Sequence, residues 1–310
     1  MKYIRLLGAV LALSSISSAA YAETDPRDYA AIAPAKNNSL VTLGYARAVS
    51  TTDTQNLTQT LGILRALYVL KFDKLAVIPV DVFMPMADVT VYEKSMVPVL
   101  RAGGITEHVS GIADLTYLPT VAYVIPEGEG TSSTVAASAY VTFPTGMYDE
   151  TKLVNIGKDR WSFQPQIAFA QRISTLFTAE AVGYGIFYTE NSKLLIPPMP
   201  MMTALPLQKG KQDPTWGADI HVAYSPTVTG WVGLSYYVAA NGRSFFGPAP
   251  GTEITTTPEQ TTHSLRFTYG WRVEKDSLIL FQFNQDIIAT GPGATIGRFI
   301  GARVSHTWEL

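Results

Sequence analysis

Histidine is the side chain that most often moves protons near neutral pH. The sequence holds four of them, His108, His221, His263 and His306. Any site that pairs a serine or an aspartate with a histidine must use one of these. The best placed is His221, because Asp219 lies two residues before it. On a β-strand this spacing puts both side chains on one face, where the carboxylate could orient the imidazole for acid–base chemistry.

No serine is placed to complete this pair. The serines that adjoin a histidine are Ser264, after His263, and Ser305, before His306. Neighbouring residues on a strand point to opposite faces, so neither combination forms a dyad within its strand. We expect the aspartate and histidine of the pair to be polar groups hydrogen-bonded inside the fold. The prediction is therefore a protein that is not an enzyme, with no catalytic residues, no cofactor and no metal site.

The composition describes a chain with little ionic surface. Charged residues make up 15% of the 310 residues, against about 25% in an ordinary soluble domain. Aromatic residues make up 11% and cysteine is absent, which excludes an unfolded chain and a disulfide scaffold. The formal net charge is −2, so we expect no nucleic-acid partner.

The N-terminus has the pattern of a bacterial secretory signal peptide. Lys2 and Arg5 form a positively charged region before the apolar stretch at 6–13, and Ala20-Tyr21-Ala22 forms a small-x-small cleavage site. The alternative is a membrane anchor, which needs about 20 apolar residues, more than this stretch offers. We therefore predict that a signal peptide occupies residues 1–22.

After the signal, apolar and polar residues alternate with period two, which indicates strands with one apolar face. In the clearest case Leu265, Phe267, Tyr269 and Trp271 alternate with polar or small residues. Twelve strand candidates of this kind lie at 39–49, 59–70, 75–85, 110–125, 134–144, 160–170, 175–188, 214–224, 231–240, 262–272, 277–287 and 296–310.

The connections between these candidates are alternately short and long. Since antiparallel strands turn back at opposite rims, all short turns fall at one rim and the long loops at the other. A soluble sandwich shares the period of two but has no reason to sort its loops. Sorted loops and an even strand number are typical of outer-membrane barrels. We predict an all-β fold, an antiparallel transmembrane β-barrel of 12 strands with short periplasmic turns and long extracellular loops.

The predicted organisation has three parts. The signal peptide at 1–22 is followed by an N-terminal periplasmic segment at 23–38 and by the barrel at 39–310. We expect the barrel in the outer membrane of a Gram-negative bacterium, in contact with outer-membrane lipid and lipopolysaccharide. The pattern leaves the oligomeric state open.

Four segments resemble a known family. They are residues 23–29 (ETDPRDY), 110–115 (SGIADL), 141–149 (VTFPTGMYD) and 155–165 (NIGKDRWSFQP). In these segments the chain is similar to the family named for the meta-pathway of phenol degradation, a group of outer-membrane transporters. The resemblance implies a barrel associated with the uptake of aromatic or other hydrophobic compounds.

Charged residues within barrel strands should face the lumen, because a charge on the lipid face is costly. By this parity we predict a set that lines the lumen and sets its selectivity: Asp114, Glu180, Asp219, His221, Arg266, Arg272, Asp286 and Arg303. A ring of charges tunes ion passage. The alternative is that these charges pair with one another and only stabilise the wall.

Apolar segments also fall in long connections, at 96–100 and 194–202, where exposed apolar runs are unexpected. One possibility is that Leu195, Met199 and Met201 form an adaptable extracellular surface that captures substrate. The alternative is a strand extension above the membrane, or a loop packed on its neighbours.

The function predicted from the sequence is a channel for small hydrophobic or aromatic compounds, which would diffuse passively through a narrow lumen. The alternative from another class is a barrel that acts in binding or adhesion through its extracellular loops. A channel needs an open path, whereas an adhesion barrel would tend to fill its lumen.

Overall fold

The computed structural model describes residues 28–29, 38–51, 55–93, 108–151, 155–194, 208–246, 254–292, 294 and 296–309. No helix among them is long and apolar enough to cross a membrane. The described chain forms strands β1 (Asn38–Thr51), β2 (Gln55–Phe72), β3 (Leu75–Glu93), β4 (His108–Ile112), β5 (Thr116–Tyr117), β6 (Thr120–Gly128), β7 (Thr131–Thr142), β8 (Ser162–Arg172), β9 (Phe177–Tyr188), β10 (Asn191–Leu194), β11 (Gln208–Gln212), β12 (Thr215–Tyr224), β13 (Gly230–Asn241), β14 (Ser244–Phe246), β15 (Ile254–Thr257), β16 (Gln260–Glu274), β17 (Ser277–Thr290) and β18 (Ile296–Glu309).

The main sheet closes on itself. β1 lies between β2 and β18, and the sheet continues through β17, β16, β13, β12, β9 and β8 to β7. The short strands β4, β5 and β6 fill the next place, since all three pair with β3 and the last two also pair with β7. β3 pairs with β2 over most of its length, which joins the two ends of the sheet. The fold is the predicted closed antiparallel barrel.

The strands lie where the alternation predicts them, but their ends differ. β2 and β3 have 18 and 19 residues, whereas about 9–11 cross a bilayer, so this hairpin is longer than a crossing needs. The predicted strand at 110–125 is broken into β4, β5 and β6. Pro119 lies at one break, where it has no N–H to donate to a ladder. The described residues contain eighteen strand segments, so twelve membrane-crossing strands remains a prediction.

A second sheet stands apart from the barrel wall. It has four strands in the order β10, β11, β14 and β15, all within connections that the sequence predicts as long loops. These strands have three to five residues, too few to show an alternation in the sequence. The long connections are therefore partly folded rather than irregular throughout.

The wall is apolar outside and polar inside. On β12, Trp216, Ile220 and Val222 are exposed, while Asp219 and His221 between them are buried. The same order holds on β8, where exposed aromatic and aliphatic residues alternate with buried glutamine and alanine. This arrangement is the reverse of a soluble protein, and it gives an outer surface suited to lipid.

The short connections gather at one rim of the barrel. They join β2 to β3, β6 to β7, β8 to β9, β12 to β13 and β16 to β17. Two of them use left-handed backbone, at Asp73 with a φ of 51° and at Gly130 with a φ of 74°. Aspartate and glycine are among the residues that adopt this conformation most readily. The long connections lie at the opposite rim, together with two short ones, between β1 and β2 and between β17 and β18.

The sidedness of the barrel can be tested with single cysteines, because the chain has none of its own. Glu150 lies in a long connection and Lys275 in a short turn, and both are exposed. We expect an impermeant thiol reagent to label Glu150→Cys on intact cells. Lys275→Cys should be labelled only after the outer membrane is permeabilised. The opposite labelling pattern would show that the barrel has the reverse orientation in the membrane.

Candidate functional site

The connection between β7 and β8 folds into the mouth of the barrel. Residues 143–151 and 155–161, here called the inward loop, are held there by Asp114, which is 6% exposed. One carboxylate oxygen of Asp114 accepts the N–H of Gly146 at 2.8 Å, and the other accepts the N–H of Lys158 at 2.8 Å. A single carboxylate therefore binds both arms of the loop.

Two glycines make this approach possible. A Cβ at Gly146 would lie 2.8 Å from the backbone nitrogen of Asp114, closer than real Cβ atoms approach such an atom. A Cβ at Gly157 would lie 2.7 Å from the carbonyl carbon of Gly146. Gly146 therefore allows the close packing of one arm of the loop on the other and on Asp114.

Further hydrogen bonds fix the shape of the inward loop. The Asp149 N–H donates to Asn155 Oδ1 at 2.7 Å, and Asn155 Nδ2 donates back to the Asp149 carbonyl at 3.1 Å. Asn191 on β10 donates to the Lys158 carbonyl at 2.8 Å. Three of the four segments that carry the family resemblance therefore meet at this loop.

A cavity lies beneath the inward loop, inside the barrel. Its empty space is about 650 Å³, including its open mouth. Its walls come from β3, β5, β7, β8 and β9 and from the loop itself. Most of the exposed lining surface is apolar, although seven of the thirteen lining residues are polar or charged: Pro85, Ala113, Asp114, Thr116, Tyr140, Thr142, Ile156, Lys158, Arg160, Ser162, Gln164, Ile186 and Tyr188. Pockets that combine an apolar wall with converging polar groups commonly hold small molecules.

Two basic side chains from the inward loop reach this cavity. The guanidinium carbon of Arg160 lies 4.5 Å from the centre of the Tyr188 ring, and Arg160 Nη2 donates to Gln212. Burial lowers the pKa of Arg160. Burial, with repulsion from Arg160, lowers the pKa of Lys158 to about 7, while the charge of Asp114 acts in the opposite direction. Below about pH 7 the cavity therefore carries two positive charges from the loop.

Tyr29 lies inside the lumen, where it packs against the barrel wall. Its hydroxyl lies 3.1 Å from Ser138 Oγ, and Gln166 Nε2 donates to the same hydroxyl. Tyr29 is 5% exposed, and burial raises the pKa of its phenol, so the group stays neutral. Its ring belongs to a buried cluster with Val69, Ala76, Ile78, Ala122, Ala136, Ala168, Ala170 and Val182.

Tyr29 falls in the predicted segment at 23–38, and its hydrogen-bond partners show its depth in the barrel. Along β7 and β8, Ser138 and Gln166 lie one inward position closer to the short turns than Tyr140 and Gln164, which line the cavity. Tyr29 therefore lies inside the barrel, on the short-turn side of the cavity. The boundaries of the segment at 23–38 remain a prediction.

The predicted lumen residues lie on inward faces, at different depths. Buried among them are Asp114, Glu180, Asp219, His221 and Arg266. Asp286 and Arg303 are half-buried on the inward faces of β17 and β18. Arg272 is exposed, near the short turn after β16. Its position was not predicted, since the parity of a residue on a strand gives the face that it lies on but not its depth in the barrel. The role of the whole set in selectivity remains a prediction.

Several of these residues form one packed cluster in the wall. The Arg266 guanidinium carbon lies 4.6 Å from the centre of the Tyr237 ring and 5.8 Å from that of Phe299. The Tyr237 ring meets His221 edge to face, with centres 5.5 Å apart. Glu180 is the register partner of His221 on the neighbouring strand. The best acid–base candidate of the sequence thus lies in a charged and aromatic cluster.

Other lumen charges join neighbouring strands. Asp286 accepts the Ser264 hydroxyl and the Gly297 N–H, each at 2.6 Å, and so connects β16, β17 and β18. Arg65 on β2 binds both oxygens of Asp81 on β3, at 2.9 and 2.7 Å. This ion pair was not predicted from the sequence. The pattern that could have indicated it is a pair of opposite charges on the inward faces of two adjacent strands, at diagonal positions of their register.

Tyr29, Lys158 and Arg160 were not predicted as site residues, although all three lie in the segments that carry the family resemblance. The predicted capture residues, Leu195, Met199 and Met201, lie outside the described residues and remain a prediction. No cluster of potential metal ligands occurs in the part of the chain that the structure describes.

Comparisons with known proteins bear on both family and fold. The family profile "Putative MetA-pathway of phenol degradation" matches residues 33–299. No curated protein sequence is a significant match. The structure of an outer-membrane channel from Pseudomonas putida F1 is similar, with a TM-score of 0.77 and 20% identity, over 92% of this chain and 100% of that one. The toluene transporter TodX of Pseudomonas putida has a TM-score of 0.38 and 10% identity, over 88% of this chain and 90% of that one. The first likeness shows the fold of an outer-membrane barrel.

Replacing Asp114 by asparagine should release the inward loop. The amide group would place an N–H₂ against a backbone N–H, and a hydrogen bond to a charged group contributes about 1.5–3 kcal/mol. We expect a larger single-channel conductance in planar bilayers. Gly146→Ala should have the same effect, because its Cβ cannot fit against the Asp114 backbone.

A matched control is Asp88→Asn. Asp88 binds His108 Nε2 at 2.7 Å, and both side chains are exposed. This substitution removes a carboxylate from β3 without touching the inward loop, so the conductance should stay at the wild-type value. Equal effects of Asp114→Asn and Asp88→Asn would contradict the anchoring role of Asp114.

Tyr29→Ala should open the lower end of the lumen. Removing a buried aromatic ring costs about 3–5 kcal/mol where it leaves a cavity, so we also expect some loss of thermal stability. Single-channel conductance and the temperature at which the folded band disappears from gels measure the two effects. Tyr29→Phe keeps the ring and should conduct like the wild type. A wild-type conductance for Tyr29→Ala would show that Tyr29 does not limit the passage.

Proposed function

The chain belongs to the MetA-pathway of phenol degradation family, and from that premise we propose that it is an outer-membrane channel for small hydrophobic or aromatic compounds. The solutes would move by passive diffusion through a narrow lumen. The observation that carries the proposal is the cavity under the inward loop, which lies within the barrel wall and whose exposed lining surface is mostly apolar.

The outer surface supports a membrane location. Large apolar side chains are exposed on strand after strand, as with Ile167 on β8, Ile220 on β12 and Phe267 on β16. Exposed apolar residues at this density are unfavourable in water and favourable in hydrocarbon. We place the barrel in the outer membrane of a Gram-negative bacterium, where its partners are membrane lipid, including lipopolysaccharide, and the transported solute.

The lumen supports passage of small solutes rather than catalysis. The cavity lies between the inward loop and Tyr29, so a solute must displace one closure to enter and the other to leave. Asp219 and His221 are not among the residues that line this cavity. We assign them to the wall, and the chain to the channels rather than to the hydrolases that share barrel folds.

The alternative is a barrel that acts in binding or adhesion. Two features favour it, namely a lumen occupied by the inward loop and Tyr29, and the second sheet built by β10, β11, β14 and β15. This candidate predicts a lumen that stays closed even after both closures are weakened.

Purified protein in planar bilayers tests the proposal, with phenol as the added solute. We expect discrete conductance steps whose current phenol reduces. Ser162→Trp fills the cavity and should lower the conductance, whereas Phe163→Trp changes a side chain that is 42% exposed on the lipid-facing side and should not. Heat-modifiable migration on gels confirms that each variant is folded. No conductance from the folded wild type or from Tyr29→Ala would reject a channel and favour the alternative.

A further inference from the structure

The cavity holds two basic side chains without a matching pair of acids. Lys158 and Arg160 both line it. The backbone of Lys158 is bound on both sides, by Asp114 at its N–H and by Asn191 at its carbonyl, which fixes where its side chain begins. None of the ion pairs formed by described side chains includes either residue.

Asp114 does not neutralise both cations. It is the acidic residue of the cavity lining, and each of its oxygens already accepts a backbone N–H of the inward loop. Arg160 donates one N–H to Gln212, and the face of its guanidinium lies over the Tyr188 ring. Its other guanidinium N–H groups can donate to a ligand. Burying a charge without a partner is unfavourable. An anion bound between the two cations would remove this cost.

The rest of the wall defines what such an anion must carry. Tyr140 and Tyr188 contribute aromatic rings, and Pro85, Ile156 and Ile186 contribute aliphatic surface. An inorganic ion would leave this surface without contacts. A ligand with one carboxylate and one flat apolar body would satisfy the cations and the wall together.

We propose that this cavity is a selectivity site for small aromatic carboxylates. The carboxylate binds between Lys158 and Arg160, and the ring lies against Tyr140, Tyr188 and the aliphatic wall. The inference rests on the proposed channel function and narrows its substrate class from hydrophobic compounds in general to aromatic acids. No bond is made or broken at the site.

The lysine makes the site sensitive to pH. Lys158 titrates near pH 7, so its ammonium is present below this value and is lost as the pH rises above it. Arg160 keeps its charge throughout, and the other ionisable groups at the cavity are Asp114 and the phenols of Tyr140 and Tyr188. The affinity for an aromatic carboxylate should therefore fall between slightly acidic and slightly alkaline pH.

Calorimetry on the full chain in detergent provides the test, with benzoate, benzamide and acetate as probes. Benzamide has the same shape as benzoate without the charge, and acetate has the charge without the ring. At about pH 6 we expect benzoate to bind at least about tenfold more tightly than either. Lys158→Met and Arg160→Met should each lose most of this preference. Lys158→Arg should keep it, and should also keep it at about pH 8.5, where the wild type weakens.

Lys209→Met is the matched control. Lys209 is a cation on β11, 69% exposed and paired with Glu190, outside the cavity lining. Its loss should leave benzoate binding unchanged. Equal binding of benzoate and benzamide by the wild type would overturn the inference, and this comparison does not depend on the folding of any variant.

The same probes in bilayers separate this inference from the channel function. If benzoate and benzamide pass equally well and bind equally, the result supports the proposed channel function and rejects the carboxylate site. If benzoate binds selectively but neither compound passes, the result supports the carboxylate site and rejects the channel function.

Discussion

The inward position of one loop depends on the carboxylate of Asp114. An acceptor with two oxygens is needed there, because two backbone N–H groups from opposite arms of the loop converge on one point. Their desolvation inside the barrel would be costly without this partner. The close packing at Gly146 and the cavity beneath the loop follow from that attachment. So does the delivery of Lys158 and Arg160 into the lumen.

The membrane imposes the complementary constraint on the wall. Since the outer face must be apolar, the charged and polar side chains of the strands collect inside, where they need one another as partners. Arg65 with Asp81, Arg266 with Tyr237, and Asp286 with the strands on either side of it are solutions of this kind. In part of the lumen charge thus stabilises the wall, while in the cavity charge remains available to a ligand.

The sequence predicts the wall well because strand periodicity is local. Alternation at positions such as 264–272 identifies both the strand and its lipid-facing side, and parity placed Asp114 and Arg266 inside. The alternation does not give the depth of a residue along the barrel axis, so the exposed position of Arg272 near a turn was not predicted. It could not give contacts between distant segments either. Asp114 meets Gly146 across 32 residues and Gln166 meets Tyr29 across 137, and no local pattern encodes such contacts.

The two closures of the cavity are built from different parts of the chain and by different physics. The upper one rests on charge-assisted bonds to Asp114. The lower one rests mainly on burial of the Tyr29 ring, and the hydroxyl of this ring also makes neutral hydrogen bonds. Between the cavity wall and the lower closure, Gln164 donates to Gln166 beside Tyr29 over 3.4 Å, which is a weak contact. Because the residues that hold one closure are not those that hold the other, we expect that either closure can give way while the other holds, so that a solute can occupy the cavity without an open path through the barrel.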